Sequence, residues 1–219
     1  GAYGVRIDGH DPAKIGDRIS VDFGAVMDRL RRLRAKISHH DSADRFSREL
    51  GIDLFIGRGR FTGTDTIEVN GKTLRFAKAC IATGGTPAVP NIPGLADAPY
   101  LTNQTLFNLT RLPKRVAVMG TGAIGLEMAQ SLRRFGAEVT VLARSGRILP
   151  KEDEDAAAIV QASMERDGVQ FRFNCDYRAV SHEPAANPDD FPLIRLDVGE
   201  ETLEVDALLV ATGRKPNIE

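Results

Sequence analysis

Apolar residues at Phe23, Val26, Met27, Leu30, Leu33 and Ile37 recur at the spacing of one helix face and predict an amphipathic helix. Arg29, Arg31, Arg32, Arg34 and Lys36 fall on its other faces, as a solvated surface would have them. A second, short helix is expected to reach Leu50, with Asp41 or Ser42 as its cap. From Ile52 the pattern shortens to β-like segments at Asp53–Gly57, Phe61–Thr62 and Thr66–Val69. Asn70-Gly71 is a strong signal for a two-residue hairpin turn, with Lys72–Phe76 as the returning strand. Ala79-Cys80-Ile81-Ala82 has the continuous apolar character of a short buried strand, ending at Thr83-Gly84-Gly85. Pro87, Pro90 and Pro93 break regular structure, so Gly85–Pro113 is expected to be mostly a connection, and Gly1–Ser20 an irregular lead-in.

A new period starts at Arg115. Val116–Met119 is a buried-strand run, Gly120–Gly125 is glycine-rich, Leu126–Phe135 has helical periodicity, Gly136 stops it, and Val139–Leu142 is a second strand. This is a βαβ unit of the usual size, about 30 residues. Glu152–Asp155 precedes a further helix ending near Gly168, its acids placed where the helix dipole favours them. Three β-like runs follow at Val169–Phe173, Leu193–Val198 and Leu203–Val210, with Asn187–Asp190 as a loop.

Composition narrows what such an α/β chain can do. In 219 residues, Lys and Arg number 29 against 30 Asp and Glu, a formal net charge of −1. That balance argues against a nucleic-acid partner, which needs a basic surplus on one face. No apolar run approaches the roughly 18 residues of a membrane helix, and no signal-peptide pattern opens the chain, so a cytoplasmic location with no membrane contact is expected. The 2 cysteines, Cys80 and Cys175, lie too far apart for a CxxC motif and exclude a zinc cluster or disulfide framework. Both are expected to be packed thiols. His39 and His40 are adjacent, and adjacent residues rarely point at one ion, so no metal site is expected.

The chemistry concentrates in Gly120-Thr121-Gly122-Ala123-Ile124-Gly125. A bare GxGxxG is weak, but here a strand precedes it, a helix follows, and a second strand comes at the right distance. Gly120 permits the tight turn, Gly122 lets the backbone approach a pyrophosphate, and Gly125 allows close helix–strand packing. The helix N-terminus offers its free N–H groups to that pyrophosphate. NAD and FAD sites usually place an acid roughly 20 residues later for the ribose 2′-hydroxyl. Here Arg144 stands there, 19 residues past Gly125, and Ala143, Ser145 and Gly146 supply no acid. Arg144 offers a planar fork suited to a 2′-phosphate, with Arg147 near enough to assist, so NADP is favoured and NAD is the alternative. Glu127, in the first turn of the helix, is either a dipole partner or a hydrogen-bond partner for a nicotinamide carboxamide. Ile81-Ala-Thr-Gly84 and Val210-Ala-Thr-Gly213 each place a tight turn after an apolar run, which suggests one domain inserted between two passes through another.

Three stretches, IATGGTPAVPNIPGL (81–95), LPKRVAVMGTGAIGLEMAQSLRRFGAEVTVLARSGRILP (112–150) and DALLVATGRKPN (206–217), resemble the pyridine nucleotide-disulfide oxidoreductase family. Glutathione reductase, lipoamide dehydrogenase and mercuric reductase belong to it, and the wording at 37–46 and 101–109 is closest to mercuric reductase-like members. The resemblance implies a Rossmann-type NAD(P)-binding domain over 112–210, a parallel sheet with a β-meander, inserted into an FAD-binding domain that contributes 1–111 and 211–219. It implies that Thr83 and Gly84 lie against FAD, that Gly213 and Arg214 close over it, and that Glu127 lies near the nicotinamide. Arg144 matches the first arginine of NADPH-preferring members, and Ala123 stands where some members carry a bulky aromatic gate. The family's separate FAD motif and CxxxxC redox pair are not in these residues, and its FAD-binding Asp and its His-Glu pair would fall beyond Glu219. The chain therefore resembles the middle half of a subunit whose parent is a homodimeric enzyme. Hydride would pass from NADPH to flavin and electrons on to an unidentified acceptor, a disulfide or a metal ion. The alternatives are an NADP-binding module without catalysis, a dihydrolipoamide dehydrogenase parent, or a flavin reductase that lacks redox cysteines. No residue of the chain itself is assigned as nucleophile or general acid–base.

Overall fold

The computed structural model describes residues 5–7 and 19–218. Most of the expected irregular lead-in, residues 1–4 and 8–18, lies outside the described residues. Within it β1 (Val5–Ile7) and β2 (Ile19–Val21) form an antiparallel pair, a correction to the irregular reading. The chain divides into two compact units. One comprises the described residues up to Asp28 together with Gly85–Asn217, and the other comprises Arg29–Gly84 with Ile218. The division falls inside α1 (Phe23–Ser38), whose start is capped by the Asp22 carboxylate accepting from Ala25 N–H at 3.0 Å.

The larger unit is built on a four-stranded parallel sheet in the order β13-β7-β8-β9. Its strands are β7 (Arg115–Met119), β8 (Glu138–Leu142), β9 (Gln170–Arg172) and β13 (Ala207–Val210). β7 is flanked on both sides and covered on both faces, which is why Val116–Met119 is apolar throughout rather than alternating. α2 (Ala123–Phe135) makes the crossover between β7 and β8 and packs against both, burying Gly125, Leu126, Ala129 and Leu132 at helical spacing. α3 (Glu154–Arg166) connects β8 to β9. A three-stranded antiparallel sheet comes next: β10 (Tyr177–Glu183), β11 (Leu193–Val198) and β12 (Glu201–Val205). Val180, Ile194, Leu196 and Val205 of that meander share one core with Ala117, Met119, Leu142, Leu208 and Val210 of the parallel sheet.

Three expectations change here. Leu203–Val210 is two strands in different sheets, not one run. The chain breaks at Asp206, whose carboxylate accepts from Arg115 N–H at 2.8 Å and from its guanidinium at 2.6 Å. β10 was not anticipated, because its outward positions are polar and only Val180 is fully buried. The stretch 85–113 is more than a connection. It places Ile92, Leu95, Ala98 and Leu106 in the interior, and Leu101 bridges the edge of β13 through N–H and C=O bonds to Leu208 and Val210. β6 (Gly85–Pro87) pairs antiparallel with β14 (Arg214–Pro216), neither of which the sequence pattern announced.

The smaller unit holds a three-stranded antiparallel sheet of β3 (Arg60–Phe61), β4 (Thr66–Val69) and β5 (Lys72–Arg75). Asn70 and Gly71 both take positive φ, 51° and 77°, as a turn matched to strand twist requires. The expected short helix is a π-helical turn over Arg45–Glu49, and the Ser42 hydroxyl accepts from Arg45 N–H at 3.2 Å. Asp53–Gly57 and Ala79–Ala82 are not strands. Apolar character predicts a buried strand only where neighbours pair with it, and Ile56 and Ile81 are 79% and 65% exposed. Cys80 is likewise exposed, so the expected packing holds only in part for Cys175, which is half-buried and donates to Arg172 C=O at 3.3 Å. The His39 and His40 rings stand edge to face at 6.0 Å.

Candidate dinucleotide-binding site

The chain leaves β7 and crosses through α2 to one side, while β13 lies on the other side of β7. Such a reversal opens a crevice outside the carboxyl ends of the strands. A cleft of about 800 Å³ lies there, within the range of small-molecule sites. Gly120–Ala123 line it after β7, Ala143–Ser145 after β8, and Ala211–Gly213 after β13. Ala88–Pro90 and Leu149–Glu152 close its sides.

Two glycines of the motif, Gly120 and Gly125, answer to a close neighbour. Gly120 has φ 118°, and a Cβ there would stand 2.4 Å from the Ala211 carbonyl oxygen. A Cβ on Gly125 would stand 2.6 Å from the Gly120 carbonyl oxygen, so a side chain would push α2 off its strand. Gly122 differs: a Cβ there meets nothing within 4 Å. Its missing side chain leaves open space on the cleft side, where a ligand's phosphates could approach the backbone. Gly122 is also the N-cap of α2 and provides no side-chain cap bond, which leaves the helix's first N–H groups to the cleft.

Arg144, at the end of β8, is exposed and lines the cleft, and among the described residues its guanidinium forms no salt bridge. It lies over the ring of Tyr177, 5.4 Å from the centroid. Burial pushes the Tyr177 phenol well above its ordinary range, helped by the Cys175 thiol, so the hydroxyl stays a neutral donor, to Leu142 C=O at 2.9 Å. Arg147 is not among the residues lining the cleft. Its guanidinium donates to Pro150 C=O at 2.9 Å and Glu152 C=O at 3.0 Å, folding the 147–152 loop that walls the cleft. Lys151 and Lys215 add cations to the lining and Glu152 an acid. Sequence reasoning passed over Tyr177, Lys151 and Lys215, because only the fold shows which positions of β10, β14 and the loop before α3 line this crevice.

The remaining candidates separate. Ala123 and Gly213 line the first cleft and also a smaller one of about 240 Å³, shared with Ile124 and Arg214. The Arg214 guanidinium donates to the Gly85 carbonyl, and the Thr212 hydroxyl to the Ala88 carbonyl at 2.6 Å. Glu127 is exposed on α2 and lines neither cleft. Thr83 and Gly84 belong to the other unit. The larger cleft thus lies within the size range of small-molecule sites, whereas the smaller one, at about 240 Å³, falls below it.

The family model described as pyridine nucleotide-disulphide oxidoreductase matches residues 16–219. The chain belongs to this family. It is 32% identical over 199 residues to mercuric reductase of Lysinibacillus sphaericus, covering 91% of this chain and 36% of that protein. Mercuric reductase of Shigella flexneri is 40% identical over 146 residues, 67% of this chain and 25% of that one. The HOCl-induced flavoprotein disulfide reductase RclA of Escherichia coli superposes with a TM-score of 0.77 at 28% identity, over 91% of this chain and 44% of that structure. The chain therefore spans well under half the length of these family members. Members of the family are NAD(P)H-dependent flavoprotein oxidoreductases. Among the described residues no helix is long and apolar enough to cross a membrane.

Proposed function

We propose that the chain is part of an FAD-dependent NADPH oxidoreductase of the mercuric reductase kind, and that its own contribution is the NADPH site. The observation that carries this reading is Arg144, two residues past β8, lining the same cleft as the glycine turn and the uncapped start of α2. Bound NADPH supplies a hydride. The chain's work is binding and orientation: backbone N–H groups of the α2 start hold the diphosphate, and the Arg144 fork holds the 2′-phosphate. In the same reading residues 112–210 form a domain inserted into an FAD-binding domain, with Thr83, Gly84, Gly213 and Arg214 on the flavin side and Glu127 toward the nicotinamide. The parent is a cytoplasmic homodimer whose acceptor is a disulfide or a metal ion.

A second reading, a nucleotide-binding module without catalysis, is favoured by one observation: the larger unit forms the cleft of about 800 Å³ from its own residues. Reconstitution separates the two. A yellow chain that takes up FAD and oxidises NADPH rejects the module, and a colourless chain stabilised by NADPH alone rejects catalysis by these residues. Arg144→Glu is expected to weaken NADPH binding by about 10-fold or more and to favour NADH relatively. Calorimetric titration checks this, and an unchanged ratio of the two affinities removes the NADP assignment.

A further inference from the structure

We infer that Tyr177 is the positioning residue of the 2′-phosphate site, its ring carrying the Arg144 guanidinium in the cleft. The inference rests on the reading of this cleft as an NADPH site. Three features of the structure support it. Arg144 lies 5.4 Å from the Tyr177 ring centroid, within the range of a cation–π contact. The ring is itself fixed, because its hydroxyl donates to Leu142 C=O at 2.9 Å and its body packs against the core of the two sheets. Both side chains line the same cleft. A carboxylate paired with this arginine would compete with the phosphate for it, and Glu152, the acid in the cleft lining, forms no salt bridge with Arg144 among the described residues. An aromatic face holds the cation without adding negative charge, so the guanidinium's N–H groups remain available.

Arg147, the residue next best placed to share the work, is spent on the carbonyls of Pro150 and Glu152. Arg144 is therefore a long, exposed side chain with many rotamers, and without a platform it would have to be ordered anew on each binding event. Tyr177 supplies that ordering in advance. Leu142, the residue to which the phenol is tied, is the last residue of β8, two before Arg144. Ring and arginine are thus both tied to the end of the same strand.

The test uses the chain with 2′,5′-ADP and 5′-AMP, which differ by the phosphate in question. Calorimetry on the native chain is expected to show tighter binding of 2′,5′-ADP. Tyr177→Leu is expected to lower that preference by about 3- to 30-fold, with 5′-AMP affinity unchanged, and Tyr177→Phe to keep it within about 2-fold. A Leu variant with a lowered melting temperature but an intact preference overturns the proposal, since a purely structural tyrosine would behave that way. Should the Leu variant not fold, Tyr177→Met retains the bulk without a π face and is held to the same outcome. A second readout needs no loss of the ring: the chain has 3 tyrosines and no tryptophan. Tyrosine emission is expected to change on addition of 2′,5′-ADP and not to change in Tyr177→Phe, and no response in the native chain counts against the proposal. If the native chain binds both nucleotides equally, the NADPH reading itself fails and takes the proposal with it. If it discriminates and Tyr177→Leu does too, only the role of Tyr177 fails.

Discussion

The two units have similar raw material and different outcomes. Gly85–Asn217 contains strands buried on both faces, with Val118, Leu142, Leu208 and Leu209 fully inaccessible. In Arg29–Gly84, Val69 alone is buried among the described residues, while Leu54, Phe55, Ile56, Phe61 and Ile81 are exposed. Both regions are rich in aliphatic and aromatic side chains, so hydrophobicity does not separate them. The difference lies in closure: in the larger unit two sheets and a helix leave each apolar strand covered, whereas the small hairpin sheet has nothing comparable in its own unit to bury against. An apolar run becomes core only where backbone hydrogen bonds and a second layer can be supplied together.

This contrast can be broken by substitution. Leu208→Ala should cost about 2–5 kcal/mol, because a fully buried side chain between two sheets leaves a cavity that the sheets cannot collapse. Urea unfolding of the chain measures it, and a cost below about 1 kcal/mol would show that the shared core is loosely packed.

Next in size is the clasp that joins Arg115 at the start of β7 to Asp206 between β12 and β13. Burial pushes the Asp206 carboxyl up, but the side-chain and backbone hydrogen bonds from Arg115 outweigh it and hold the acid below its ordinary range. A carboxyl depressed in the folded state contributes stability above its unfolded pKa, about 3.9, and loses that contribution as pH falls toward the folded value. Asp206→Asn should therefore cost about 1–3 kcal/mol near neutrality and flatten the acid limb of the stability curve below about pH 4. Equal steepness in variant and native chain would assign the acid limb to other carboxylates, Asp167 first. Asp167 is also held low, by hydrogen bonds from Gln130 and Arg134 that outweigh its desolvation.

In the smaller unit the effects shrink. Asn70 takes φ 51° at the hairpin and donates from its side chain to Ile56 C=O at 2.8 Å, so Asn70→Ala should cost about 1 kcal/mol through the turn and the lost bond. Ile56→Ser, at a side chain 79% exposed, should change stability by less than about 0.5 kcal/mol. A larger loss there would mean that Ile56 is covered in solution by something beyond its own unit, and the contrast drawn above would narrow.

Much of this was legible in the chain itself. The βαβ unit, its glycine turn and the strand ends at Met119 and Leu142 follow from local rules: a buried parallel strand must be continuously apolar, and a tight turn beneath a helix must be glycine. The Asn70-Gly71 hairpin is equally local, since positive φ at both positions admits few other pairs. The family resemblance came from the same stretches, because a turn that must approach a backbone closely tolerates few sequences.

Pairing and layering were decided elsewhere. Nothing within Leu203–Val210 marks Asp206 as the point where the chain changes sheets, because its partner Arg115 is remote in sequence. β10 pairs only through β11, and its polar outward face hides it from a reading by hydrophobic period. Ala79–Ala82 shows the converse, an apolar run without the neighbours that make a strand. The site divides along the same line. The glycines were legible because each meets a requirement of the strand–turn–helix unit, and Arg144 was singled out by its distance past them along the chain. That Arg144 lies over the Tyr177 ring, and that Arg147 bonds the Pro150 and Glu152 carbonyls, are tertiary facts, since they depend on which strand end and which carbonyls the folded chain brings alongside each guanidinium.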